Sequence, residues 1–167
     1  ISREGAKGQE YNALGNNAPE HVTILPFTRC LAGPLDYTPG IFDIELETVD
    51  GNRVFSTLTR ELALYLIIYT PMQMACDLPR NYEGEEALTF IKNVPTDWET
   101  TKVLNSEIGS HLTVARQERG TENWFVGSIT GDKPRTATIN FDFLPKRKEY
   151  KATIYKHGED ADFEENP

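Results

Sequence analysis

The chain is poor in the residues that build simple metal and redox sites. Its 167 residues include two cysteines, Cys30 and Cys76, and three histidines. Two cysteines so far apart make neither a zinc pattern nor a disulfide framework. Both sit in apolar text, which reads as buried free thiols. Basic charge is also scarce: 17 Lys and Arg stand against 26 Asp and Glu, for a net charge of −9. Phosphate backbones call for a basic stripe, so nucleic acid is excluded as a partner. The acidity otherwise speaks only of solubility. The longest apolar run, Leu62 to Ile68, falls well short of the ~20 residues that cross a bilayer. Internal repeats and low-complexity tracts are absent. There is no secretory signal, but Ile1-Ser2-Arg3 reads as the middle of something longer, so that absence says nothing of compartment.

What is present reads as a globular chain, with 38% hydrophobic and 26% charged residues, enough for one ordinary domain or two small ones. Residues 1–12 suggest a strand end running into a bent loop, and residues 13–19 a loop rich in Gly and Asn. Residues 20–31 suggest a helix, with Pro26 in its first turn or kinking it, stopped by Gly33-Pro34. Residues 35–38 suggest a short extended piece. Strand, helix and strand in that order imply a βαβ unit of a parallel sheet or barrel. Thr57 or Thr59 is a helix cap for a helix over 58–76, greasy on nearly every side and kinked by Pro71. Its Met72 and Met74 read as core filling. A further helix is expected over 83–93.

From Trp98 the period becomes two. Residues 100–105, 111–117, 123–130, 136–143 and 149–156 are expected as five strands, with turns near Gly120, Gly131-Asp132-Lys133-Pro134 and Pro145-Lys146-Arg147-Lys148. That spacing implies an antiparallel sandwich. The composition shift near residue 95 divides the chain into residues 1–95 and 96–167. Residues 158–167 are acidic and expected to fray.

The chemistry-bearing stretch is Arg3-Glu4-Gly5-Ala6-Lys7-Gly8-Gln9-Glu10-Tyr11-Asn12. Glu4 and Glu10 are an even number apart and share a face of an extended strand. A straight strand would still hold them roughly 20 Å apart. The intervening glycines supply a bend, after which two carboxylates can share a hard cation or act as an acid and its electrostatic partner. The alternative reading keeps both as solvated loop acids.

This stretch is followed by Asn17-x-Pro19-Glu20-His21, Ile24-Leu25-Pro26-Phe27-Thr28-Arg29 and Leu31-Ala32-Gly33-Pro34-Leu35-Asp36-Tyr37-Thr38-Pro39-Gly40. Four such blocks in order resemble glycoside hydrolase family 97, the bacterial α-glucosidases and α-galactosidases. The resemblance runs from Arg3 to Gly40 and more loosely through residues 58–76. It implies an exo-acting, calcium-dependent α-glycosidase built from an N-terminal sandwich, a (β/α)8 barrel and a C-terminal sandwich. On that scheme residues 1–95 are the terminal part of the barrel and residues 96–167 most of the C-terminal antiparallel β-sandwich. The fold class is then α/β plus all-β, and the partners are an α-glycoside or oligosaccharide and the remainder of the same enzyme. The resemblance places Glu10 as general acid, Glu4 as a Ca2+ ligand and Glu10 as a second contact to the ion. It also implies a periplasmic or secreted protein. The base or nucleophile does not lie in this chain, so glucoside against galactoside and inversion against retention stay open.

Asp36, at the end of a short strand, contacts sugar hydroxyls or caps the following turn. His21 at a helix start reads as capping or packing, and Trp98 and Trp124 as core packing in preference to sugar stacking. The reading from a different class is a non-catalytic carbohydrate-binding or scaffold module.

Overall fold

The computed structural model describes residues 6–14, 17–46, 53–162 and 165–167. Its centre is a three-stranded antiparallel sheet, β1 (Trp98–Glu107), β2 (His111–Glu118) and β3 (Trp124–Thr130), in sequential order. Val103 faces Val114, and Leu112 faces Ile129. The hairpin turns pass through Gly109 and Gly120, both at positive φ, where a Cβ is unfavourable.

One helix covers this sheet. α2 (Leu58–Ile67) starts at Thr57, whose hydroxyl accepts from the Arg60 N–H, and it buries Leu62, Leu64, Tyr65, Leu66 and Ile67. Val114 pairs with Gly127, and Gly127 is where the helix comes closest: a Cβ there would stand 2.9 Å from Leu66 Cβ and 3.3 Å from the Ala63 carbonyl. Arg116, in the same buried layer, sends Nε to the Leu66 carbonyl at 2.6 Å and Nη1 to Thr101 Oγ1 at 2.9 Å. It therefore satisfies a carbonyl in the last turn of α2, where the ladder has run out and positive charge is favoured. The main core runs from Val22, Leu25, Leu35 and Tyr37 through α2 to Trp98, Leu112, Val114 and Ile129, and a smaller one gathers Ile41, Ile44, Leu46 and Val54.

Several expectations need correction. The helix expected over 58–76 ends at Ile67. Pro71 lacks the N–H that would bond the Ile67 carbonyl, and it disfavours helical angles at Thr70. The helix expected over 20–31 is α1 (His21–Ile24) followed by two 3-10 turns, Leu25–Phe27 and Arg29–Ala32, separated by Thr28 at φ −128°, ψ −83°. Pro26 sits in the first of these turns. The helix expected over 83–93 is α3 (Ala87–Asn93), the chain before it being a 3-10 turn and loop.

No parallel βαβ unit forms among the described residues before β1. Residues 9–13 wind into a 3-10 turn, and Leu35 makes only an isolated bridge, its N–H reaching the Tyr69 carbonyl at 3.1 Å. The strands expected over 136–143 and 149–156 do not form: neither segment joins a ladder, and Asp142 and Phe143 lie in a turn, while Phe141 and Ile154 are 58% and 76% exposed. Alternation dictates two faces, yet a strand also needs a neighbour's backbone. This stretch touches the body through Phe143 on Trp124, Lys148 on Glu122, Tyr155 on Phe90 and His157 on Thr57. Cys30 and Cys76 are half-buried free thiols, as expected, with burial raising the pKa of both.

Candidate functional site

Glu10 opens the 3-10 turn Gln9–Ala13, preceded by Gly8 in an extended conformation at φ −83°, ψ −174°. The bend does not draw on unusual angles at Gly8. What Gly8 supplies is room for the carboxylate as placed: a Cβ there would push the exposed end of the Glu10 side chain aside. The Glu10 side chain is exposed, and Thr38 donates its hydroxyl to Glu10 Oε2. Glu4 lies outside the described residues, so its facing of Glu10 is left to the sequence.

Thr38 is placed by alternation. Leu35 and Tyr37 are 0% and 1% exposed, while Asp36 and Thr38 are half-buried. An extended chain with that pattern puts Asp36 and Thr38 on one side, the side that meets Glu10. Asp36 Oδ1 is buried without a hydrogen-bond partner among the described residues. His21 Nε2 stands 3.0 Å from the Lys7 carbonyl, tying the loop ahead of Gly8 to α1. Trp98 is buried edge-on to Phe125 at 5.6 Å, and Trp124 packs on Phe143 at 4.8 Å.

The sequence reading passed over Glu61, the most deeply buried acid among the described residues. It is 0% exposed in the first turns of α2. Oε1 accepts from Gln9 Nε2 at 2.5 Å, and Oε2 from the N–H groups of Gly40 at 3.0 Å and Ile41 at 3.4 Å. Burial pushes its pKa up to about 7, against the Ser56 hydroxyl, the Gly40 and Ile41 N–H groups and the neighbouring Arg60. The signal in the sequence was a carboxylate set directly against the apolar run Leu62 to Ile68. Gly40 is fixed as well, at φ +85° with the Tyr65 ring below it, its carbonyl accepting from Tyr82 Oη at 2.6 Å. Beyond it, Asp77 Oδ2 accepts from the N–H groups of Phe42 and Asp43, both at 2.7 Å.

Calcium takes about six to eight oxygen ligands. Among the described residues no three acids, histidines or cysteines converge on a point where an ion could sit. Glu10 brings one carboxylate, already engaged by Thr38, so these residues alone do not fit a calcium shell. Among them, too, no helix is long and apolar enough to cross a membrane.

The site thus presents an exposed carboxylate held by a hydroxyl, on a turn tied through Gln9 to a buried acid. The comparisons carry this to a family. Residues 97–167 match the family model described as "Glycosyl-hydrolase 97 C-terminal, oligomerisation". The chain is 34% identical over 96% of its length to a retaining alpha-galactosidase of Bacteroides thetaiotaomicron, of which it spans 25%. It superposes over its full length, with a TM-score of 0.92 and 44% identity, on a glycoside hydrolase family 97 enzyme of Pseudoalteromonas sp. strain K8, solved with panose and with acarbose. It spans 27% of that enzyme. The chain belongs to glycoside hydrolase family 97, and it covers about a quarter of the length of these relatives.

Proposed function

We propose that the protein to which this chain belongs hydrolyses α-glucosides from the non-reducing end, with Glu10 as the proton donor. The observation that carries the reading is Glu10 itself: an outward carboxylate, held by Thr38, with room made for it by Gly8. Glycoside cleavage needs one carboxylic acid to protonate the leaving oxygen and a second carboxylate to activate water or attack the sugar. Glu10 serves the first role. The second falls to an acid in the parts of the enzyme this chain does not span. Preference for glucosides follows from the 44% identity to an enzyme solved with panose and acarbose, against 34% to an alpha-galactosidase. Asp36, on the side of its segment that meets Glu10 and with an unpartnered oxygen, receives a sugar hydroxyl.

The remainder of the enzyme completes the site. Leu14, Leu31 and Met72 are 80%, 79% and 57% exposed, and the barrel implied by the family covers them. Glu4 and Glu10 contribute to a calcium ion whose other ligands come from that barrel. The enzyme is periplasmic or secreted. A second role belongs to residues 97–167: the family model names oligomerisation, which favours assembly over sugar binding by the sheet.

The test is an assay of the full-length protein on panose and on a matched α-galactoside, with Glu10→Gln as control. Faster turnover of panose, lost in the variant, supports the reading. Exclusive action on the galactoside overturns the substrate class, and an active variant overturns the role of Glu10.

A further inference from the structure

We propose that Glu61 is a positioning residue for Glu10, the buried acid that fixes both segments from which the Glu10 carboxylate hangs. The inference rests on the reading of Glu10 as proton donor. Glu61 touches neither Glu10 nor any surface a sugar could reach, since it is fully buried. It acts through two separate stretches. One oxygen holds Gln9, the residue before Glu10, and the other holds Gly40 and Ile41, just beyond the Thr38 that donates to Glu10. A single carboxylate thus sets the distance between the donor's turn and the hydroxyl that orients it.

The polarity of the hydrogen bonds explains why this residue is an acid. Asn17 donates its backbone N–H to Asn12 Oδ1 at 2.9 Å. That N–H cannot reverse, so the Asn12 amide must point Nδ2 onward, to Gln9 Oε1 at 2.9 Å. Gln9 is then obliged to present Nε2 to position 61. The Gly40 and Ile41 N–H groups arrive from the other side, also as donors. Only a group that accepts on both oxygens satisfies the two directions. Glutamine has one acceptor and must abandon either Gln9 or Gly40. An apolar residue would pack at lower desolvation cost but abandon both. Position 61 is the fourth of α2, past the third position where a capping-box acid would sit, so helix capping does not account for it.

The test compares Glu61→Gln, Gln9→Met and Glu10→Gln in the full-length enzyme, on a substrate with a poor leaving group and on an activated aryl glycoside. A misplaced acid loses rate only where protonation is needed. Glu61→Gln is therefore expected to lower kcat by about 10–100-fold on the poor leaving group, as for a small misplacement of a reacting group. KM should barely change, and the aryl glycoside should be largely spared. Gln9→Met, which removes one donor and keeps the bulk, should follow the same split if Glu61→Gln fails to fold. Equal losses on both substrates, or no loss, with Glu10→Gln still showing the split, overturn the role of Glu61 and leave Glu10 standing. Loss of the split in Glu10→Gln itself overturns both.

Discussion

Arg116 of β2 places its guanidinium Nε 2.6 Å from the carbonyl of Leu66 on α2. With Trp98 and Tyr69 flanking that guanidinium at 5.8 and 5.7 Å, the joint between sheet and helix has a polar pin inside an apolar seam. Arg116→Met keeps the stem and leaves the Leu66 carbonyl unmet, which costs about 1–3 kcal/mol. Thermal or denaturant unfolding of the full-length protein checks this. Arg116→Lys should recover only part, because an ammonium cannot reach Leu66 and Thr101 as a planar fork does.

Gly127 should not tolerate alanine. The added Cβ would crowd Leu66 and the Ala63 carbonyl, and overpacking of this kind costs about 1–3 kcal/mol. Combining Gly127→Ala with Leu66→Gly, which removes the crowded Cβ, should cost less than the sum of the two. A double-mutant cycle on unfolding free energies reads this coupling, and simple additivity would mean that the close approach is not felt.

Glu61 should leave a signature in stability against pH. Its pKa in the folded chain is raised from 4.5 to about 7. The folded state therefore holds the proton over a range where the unfolded chain releases it. The resulting stabilisation is fully present below the unfolded value and is lost as pH rises through about 7. Its size is on the order of 3 kcal/mol from the pKa difference. The wild type should lose more stability than Glu61→Gln between about pH 5 and about pH 8. Parallel curves for the two proteins would refute the shift.

Asp77 should behave in the opposite sense. Burial raises its pKa, but donors from Asp43, Phe42, Asn81 and Leu78 outweigh burial and hold it below the ordinary carboxylate value. Its contribution is present above the unfolded pKa and is lost as pH falls through the lower folded one. Asp77→Ala strands the Phe42 and Asp43 N–H groups, at about 1–3 kcal/mol. Denaturant unfolding at neutral pH measures the loss, and the variant should unfold less steeply with acid than the wild type.

The three central strands were legible because each carries its own period and its own turn glycine, and Thr57 was legible as a cap because its hydroxyl acts locally. The end of α2 was not. The apolar run continues past Ile67, and the stop depends on Pro71 and on the reach of Arg116 from β2. The alternation over 136–143 and 149–156 misled, because a period of two names neither a partner strand nor a buried face, and these residues are almost all exposed. Gly8 was picked out for its backbone freedom, and its use proved to be the space beside Glu10. Glu61 escaped notice because its partners are 20 to 52 residues away, a distance at which local pattern is silent.

The role of Glu10 is tested most directly by the leaving-group dependence of Glu10→Gln in the full-length enzyme. A series of aryl α-glucosides of graded leaving ability, compared with panose, gives the readout. If Glu10 donates the proton, the variant loses about 10²–10⁴-fold on the poorest leaving groups and little on the most activated. A uniform loss across the series, or none, would contradict that role and with it the catalytic reading of this chain.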